Sequence, residues 1–352
     1  MNNKINPKAL EVARELRGYA AKEVCEGLGL LKSQYSKIEN GGSGVNDHLL
    51  NKFCTFFNLP KEFFYRDIDL YHPNLHYRKK AAVTARILGM AEASMNVYRA
   101  DIEIMLKAGA LENVNLPVKR YADLTPQEAA HQLRIDWQIP KGPIKDLTKV
   151  IEDNGVIVVP IDFYTEEIDG RSMTTSRGQN IIFINKNLPG DRYRFTLAHE
   201  LAHLLLHIYR LVDTEVDTED EANKFASCFL VPPAELKAQV IGQKINFDTL
   251  LALKRYWKVS IAALASACQS AAIITKEQFK SLQTMISAKR IRYIEPEPFE
   301  RETPTLLTQI VTEYIKEISK SMEGLAHQFS LNMDDFETRY FPQSEKRLKI
   351  VR

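Results

Sequence analysis

His199 and His203 stand four residues apart in the stretch 194–207, RFTLAHELAHLLLH, and Glu200 stands beside the first of them. On a helix this spacing puts both imidazoles on one face about one turn apart, close enough to grip a single ion. A carboxylate at Glu200 can take a proton from an attacking water and pass it to a departing amine, the proton traffic that amide hydrolysis needs. Catalytic zinc uses three protein ligands and keeps one position open, so a third ligand must come from elsewhere. The nearest source is DTEDEANKFASCFLVP, residues 217–232. There Glu219, Ala222, Asn223 and Ala226 share one helical face, with Phe225 and Phe229 packing nearby. Glu219 is the candidate ligand and Glu221, two positions on, its competitor. Asp217, Asp220 and Glu221 also suit the solvated start of a helix, where negative charge meets the positive end of the dipole.

His207 continues the four-residue spacing but lies eight residues beyond His199, about 12 Å along a helix, so one ion cannot be held by all three histidines. It reads as a helix-end histidine bonded to a carbonyl, the alternative being a contact behind the ligands or with substrate. Tyr193, Arg194 and Asn223 are candidates for orienting ligands or substrate.

The elements that carry these groups can be read from pattern. Leu197, Ala198, Leu201, Ala202, Leu204, Leu205 and Leu206 cover the other faces of the histidine helix, which is therefore buried, where unpaired polar groups are costly. Residues 155–163, GVIVVPIDF, and the run NIIFINKNL from Asn180 read as strands, with Gly170 at a turn between them. Thr125 as N-cap, Pro126 at the first helical position and Glu128 three residues after the cap mark a helix start. A further helix is expected over 144–154. Helices and short strands without regular alternation make an α+β domain. After it come a helix over 234–240 and two more flanking Lys258 and Val259, with Ser260 capping the second, all packed against that domain. Residues 305–352, beyond the break at Pro296 and Pro298, read as a helical hairpin whose role no motif selects.

The first 66 residues form a small all-helical unit: helices over 9–18, 20–29 and 30–41, with Gly29 at the turn before the third. Lys32, Ser33, Gln34, Ser36 and Lys37 face outward on that third helix, with Gln34 suited to a base edge and the lysines to phosphates. Leu28 and Ile38 belong to the core, which Leu49, Leu50, Phe53, Phe56 and Phe57 close. A boundary falls at YHPNLHY, 71–77, where Pro73 separates His72 from His76 and argues against a helical metal pair. From Arg78 to Leu111 the chain reads as one long helix or two, with Arg78, Lys79, Lys80, Arg86 and Arg99 on a solvated basic side.

Composition sets outer bounds. The chain has 352 residues, 45% hydrophobic and 26% charged, with net charge +2, so it is an ordinary multidomain composition with no global polyelectrolyte character. Cys25, Cys54, Cys228 and Cys268 lack paired ligand spacing, which argues against a cysteine zinc site or a disulfide framework. The opening MNNKINPKALEVAREL has no apolar signal core and no stretch is long enough to span a membrane, so the expected location is cytoplasmic.

Two resemblances follow from these residues. Ser36, Lys37, Ile38, Glu39, Asn40 and Gly41 match the end of the recognition helix in the XRE-type helix-turn-helix family, although AAKEVCEGLGL departs from the family's polar second helix. That resemblance implies binding to double-stranded DNA. The region from about Thr125 to Pro296 resembles the ImmA/IrrE metallopeptidases, a gluzincin-like group often attached to an XRE-type domain. Asp169-Gly170, the histidine stretch, EDEANKFASCFLVP and YWKVSIAAL carry the likeness. The resemblance implies zinc held by His199, His203 and Glu219, with Glu200 as general base. Its ExxANxFA pattern aligns with Glu219, Ala222, Asn223, Phe225 and Ala226 and so favours Glu219 over Glu221.

The expected architecture is multidomain. An all-α helix-turn-helix domain (1–70) and a helical linker (71–124) precede an α+β zincin-like metallopeptidase domain (125–298) and a helical C-terminal region (299–352). The expected function is a zinc endopeptidase coupled to a DNA-binding domain, cleaving a repressor-type regulatory protein in stress response or mobile-element control, with a homodimer compatible and no membrane partner. Two other readings stand beside it. One is a DNA-binding regulator whose metal site senses or only stabilises. The other is a toxin–antitoxin or phage-defence component acting by protein association.

Overall fold

The computed structural model describes residues 4–68, 70–71, 83–107, 121, 123–208, 216–291, 294–319 and 321–341. His72, His76, Arg78, Lys79 and Lys80 lie outside them. The N-terminal helices begin and end where side chains satisfy the backbone. Helix α1 (Pro7–Leu16) starts at Asn6, whose side chain accepts from the Lys8 N–H. Helix α2 (Ala21–Leu28) stops at Gly29, held left-handed at φ 67, a conformation that glycine adopts without steric cost. Helix α3 (Lys32–Glu39) follows directly, and α4 (Asp47–Phe57), capped by Asn46, leads into a short turn of helix at Lys61–Tyr65. Phe53, Phe57 and Phe64 are fully buried, their ring centroids 6.0–6.2 Å apart.

Helix α5 (Ala85–Lys107) packs along α1. Its expected basic side holds for exposed Arg86 and fails for Arg99, which is 6% exposed and paired with Glu103 at 3.2 Å. The reason is that α5 is enclosed within a core and is not laid on a surface.

In the central domain, α6 (Pro126–Asp136) opens with the expected reciprocal cap between Thr125 and Glu128, and α7 (Leu147–Asp153) is capped by Asp146. The strands β1 (Ile157–Ile161), β2 (Gly170–Thr174) and β3 (Asn180–Asn185) form a 3-stranded sheet in the order β1-β3-β2. β1 runs parallel to β3 with Val159 opposite Phe183, and β2 antiparallel with Gly170 opposite Ile184. Gly170 thus opens an edge strand where a turn was expected; GRSMT escapes the pattern because only Gly170 and Met173 in it are buried.

The sheet separates two cores. Ile157, Val159, Ile161, Ile181 and Phe183 face α5 and the N-terminal helices, whereas Val158, Ile182 and Ile184 face the histidine helix, as the two-residue period of a strand requires. That helix, α8 (Gly190–Ala202), continues into a π-helical turn at His203–His207. Helix α9 (Thr218–Leu230) packs on α6 and α8. Helices α10 (Pro233–Gln239), α11 (Phe247–Trp257), α12 (Ile261–Ser270) and α13 (Lys276–Ala288) complete this core, with Ser260 capping α12 as expected.

The chain then crosses the domain as a strap. Glu295 accepts from the buried Lys254 ammonium at 3.3 Å and the Ile261 N–H at 2.7 Å. Glu302 accepts from the Arg194 guanidinium and the Thr148 N–H, and Glu152 from the Thr305 and Leu306 N–H groups. Beyond it lie α14 (Leu306–Tyr314), extended by a π turn at Ile315–Ser319, then α15 (Met322–Gln328) and α16 (Met333–Tyr340). These segments replace the expected hairpin and return to the N-terminal unit. Arg17 pairs with Asp335 at 2.7 Å, and Arg66 donates to the Phe329 carbonyl at 2.8 Å. Arg66 and the Tyr340 hydroxyl both donate to the fully buried Asp101 carboxylate. The protein therefore has an N-terminal all-α helix-turn-helix region, a central mixed α/β domain and a C-terminal helical region.

Candidate metal centre and nucleic-acid face

His199 comes from the last turn of α8 and His203 from the start of the π turn, so four-residue spacing across the junction keeps both rings on one side. Their Nε2 atoms lie 3.1 Å apart. From the first turn of α9, the Glu219 carboxylate reaches to 3.4 Å from Nε2 of His199 and 3.5 Å from Nε2 of His203. One donor atom from each of these residues falls within 4.8 Å of the others. Glu221 points elsewhere: its carboxylate lies 3.1 Å from Nε2 of His207. The helix start thus splits the two carboxylates, and Glu221 is a histidine partner where a solvated position was one of its expected readings.

The remote ring nitrogens are also engaged. His199 Nδ1 lies 3.1 Å from Asn223 Oδ1, and His203 Nδ1 lies 2.9 Å from His207 Nδ1. The His199 Nε2 faces the Glu219 carboxylate as a donor; with an ion bound, an Nδ1–H donated to Asn223 would leave the Nε2 lone pair to the metal. His207 accordingly sits behind His203, bridging it to Glu221, where a helix-end histidine bonded to a carbonyl was favoured. Burial opposes a charge on His199. Hydrogen bonding to Glu219 and the negative charges of Glu200 and Glu219 outweigh that, and its pKa rises above 6.5. Hydrogen bonds from His199 and His203 hold the Glu219 carboxyl well below the usual carboxylate range. Two imidazole nitrogens and an ionised carboxylate, converging without a fourth protein donor among the described residues, fit a divalent metal ion.

Glu200 is 3% exposed on the same helix. β2 makes room for it. A Cβ at Gly170 would stand 2.9 Å from Thr196 Cγ2, 3.0 Å from Glu200 Cγ and 3.2 Å from the Phe183 carbonyl. Only a residue without a side chain lets the edge strand approach α8 this closely. Tyr193 and Arg194 face away from the cluster: Tyr193 is buried beside Thr148, and Arg194 is paired with Glu302 of the strap. The sequence signal that could have separated them from Asn223 is phase, since Asn223 lies one turn after Glu219 on the helix that meets α8.

In the N-terminal unit Lys32, Ser33, Gln34, Ser36 and Lys37 are all exposed on α3, while Tyr35 and Ile38 are buried beneath them. Glu39 accepts from Arg14 of α1 at 2.8 Å and from the Tyr35 hydroxyl at 3.2 Å, which clamps α3 to the rest of the unit. The Gln34 carbonyl oxygen accepts from the Leu31 N–H at 3.1 Å, so its amide N–H2 is the end presented outward. Leu31 itself, 67% exposed at the N-cap of α3, was not singled out in the sequence.

Comparison with known families accounts for both regions. Residues 151–269 match the IrrE N-terminal-like domain, and residues 10–64 match a helix-turn-helix family. No curated protein matches the chain. No helix among the described residues is long and apolar enough to cross a membrane. A metallopeptidase-like domain with a His/His/Glu cluster consistent with a metal-binding catalytic site is therefore fused to a DNA-binding helix-turn-helix domain. The domain architecture of the chain matches that of IrrE/ImmA-type peptidases carrying an N-terminal helix-turn-helix domain.

Proposed function

We propose that the protein is a zinc-dependent endopeptidase tethered to a DNA-binding unit, and that it cleaves a repressor-type regulatory protein in stress or mobile-element control. The observation that carries this reading is the convergence of His199, His203 and Glu219 beside Glu200. When bound, zinc supplies a Lewis acid for the scissile carbonyl and lowers the pKa of water. His199 Nε2, His203 Nε2 and the Glu219 carboxylate would hold it, with Asn223 and His207 keeping the rings in register from behind. Glu200 takes the proton of the attacking water and delivers it to the leaving amide nitrogen. Lys32 and Lys37 contact phosphates, Gln34 reads a base edge through its amide N–H2, and Ser33 and Ser36 fix the register of α3 on the duplex.

The rival reading, a regulator whose ion only senses or stabilises, predicts the same metal content. Cleavage of purified repressors encoded beside this chain separates the two. Glu200→Gln should keep the fold and the metal while losing about two to four orders of magnitude in cleavage rate. Equal cleavage by both proteins removes Glu200 from its role, and no cleavage by the wild type favours the regulator.

A further inference from the structure

A cavity of about 1020 Å³, lined by none of the histidine-cluster residues, lies where α1, β1, the strap and the C-terminal helices meet. It has the size of a small-molecule site. Its walls are β1 residues, Tyr98 of α5, threonines of the strap and α14, and Arg339 and Tyr340 of α16.

Two arginines around it stand outside ion-pairing distance of a carboxylate among the described residues, although the charges of Asp101 and Asp335 reach Arg339. Asp335 is matched by Arg17 at 2.7 Å, Asp162 by Lys186 at 3.3 Å and Glu313 by Lys316 at 2.7 Å. Arg301 and Arg339 have no carboxylate within ion-pairing distance among the described residues. Arg301 bonds the Lys186 carbonyl and lies over the Tyr193 ring. Arg339 lies over the Tyr98 ring at 5.1 Å, and its Nη1 is buried without any hydrogen-bond partner. A buried guanidinium nitrogen left unmatched is costly; Nη1 itself is sealed from the cavity, so a ligand's acceptor would meet the part of the Arg339 fork that lines it. The remaining wall offers the aromatic faces of Tyr98 and Tyr164, the aliphatic surface of β1 and the hydroxyls of Thr308 and Thr312.

We infer that this cavity is a binding site for a small amphipathic organic anion, with a carboxylate, sulfonate or phosphate head at Arg339 and Arg301 and an aromatic or aliphatic body against Tyr98 and β1. The site joins the DNA-binding unit, the sheet edge and the C-terminal helices, and it is independent of the metal reading.

The test uses the full chain and two dyes that share a ring system, anilinonaphthalene sulfonate and the uncharged phenylnaphthylamine. Fluorescence titration should show saturable binding of the sulfonate, about tenfold or more tighter than that of the neutral dye, the worth of a charge-assisted hydrogen bond. Arg339→Gln should erase that preference, and Thr308→Trp, which fills the cavity from its rim, should block both dyes. Should Arg339→Gln fail to fold, Arg301→Gln on the exposed side of the cavity carries the same test of preference. Unsaturable binding, equal affinity for the two dyes in the wild type, or affinities unmoved by Thr308→Trp would overturn the assignment.

Discussion

At the scale of single residues the histidine cluster depends on groups that stand behind it. Asn223 fixes His199 at 3.1 Å through the nitrogen turned away from the cluster. Asn223→Ala, at an exposed position of α9, should leave thermal stability nearly unchanged and weaken metal affinity about 10–100-fold, read by competition with a chelator. Unchanged affinity would mean that the ring is held by packing alone. Gly170 acts on the other partner. Gly170→Ala presses a methyl group against Thr196 and Glu200 and should cost about 1–3 kcal/mol in stability, measured by denaturant unfolding, as overpacking does. Metal content should be retained, since neither clash involves a ligand. The ligand helix was legible in the sequence because its spacing is local. Gly170's part was not, because it consists of distances to another element and leaves no pattern in its own strand. Arg99 was misread for a related reason: a charge on a helix reads as solvated until the partner and the packing on both sides are known.

Among the elements, α3 divides sharply into a buried side of Tyr35 and Ile38 and an outward side of polar residues. If the outward side meets a duplex, Lys32→Ala and Lys37→Ala should each weaken binding to all sequences alike and reduce the salt slope of the affinity by about 1, in shift assays across ionic strengths. Gln34→Ala should instead relax preference between sequences at nearly the same slope. A slope indifferent to all of these changes would remove α3 as the contact surface. Elements with strong local chemistry were readable beforehand, among them α6 with its reciprocal cap, α2 with its glycine stop and α12 behind Ser260. The edge strand β2 and the π turn were not. One is half-exposed and short, and the other differs from α-helix only in which carbonyl receives a given N–H: Ile208 donates to His203 at 3.2 Å.

For the whole molecule the decisive feature is one core made of sequence extremes. The helix-turn-helix unit, α5, one face of the sheet and the last helices pack as a single cluster, pinned where Arg66 and Tyr340 converge on Asp101. Burial pushes the Asp101 carboxyl up, and its two partners, together with the charge of nearby Arg339, oppose that rise. Asp101→Ala leaves Arg66 buried without its counter-ion and should destabilise the protein by about 3–5 kcal/mol. Thermal unfolding followed both by the fluorescence of a probe attached to α3 and by near-ultraviolet circular dichroism should show the loss in both signals together. A shift confined to one signal would mean that the regions melt separately. No local pattern announces this arrangement, since amphipathic helices state that they have a buried face and not which surface covers it. Because the Arg66–Phe329 contact spans 263 positions, a ribosome adding roughly 5–20 residues per second needs on the order of 10–50 s to supply the missing partner. Each nascent chain therefore holds its helix-turn-helix region incompletely covered until the C-terminal helices have left the exit tunnel.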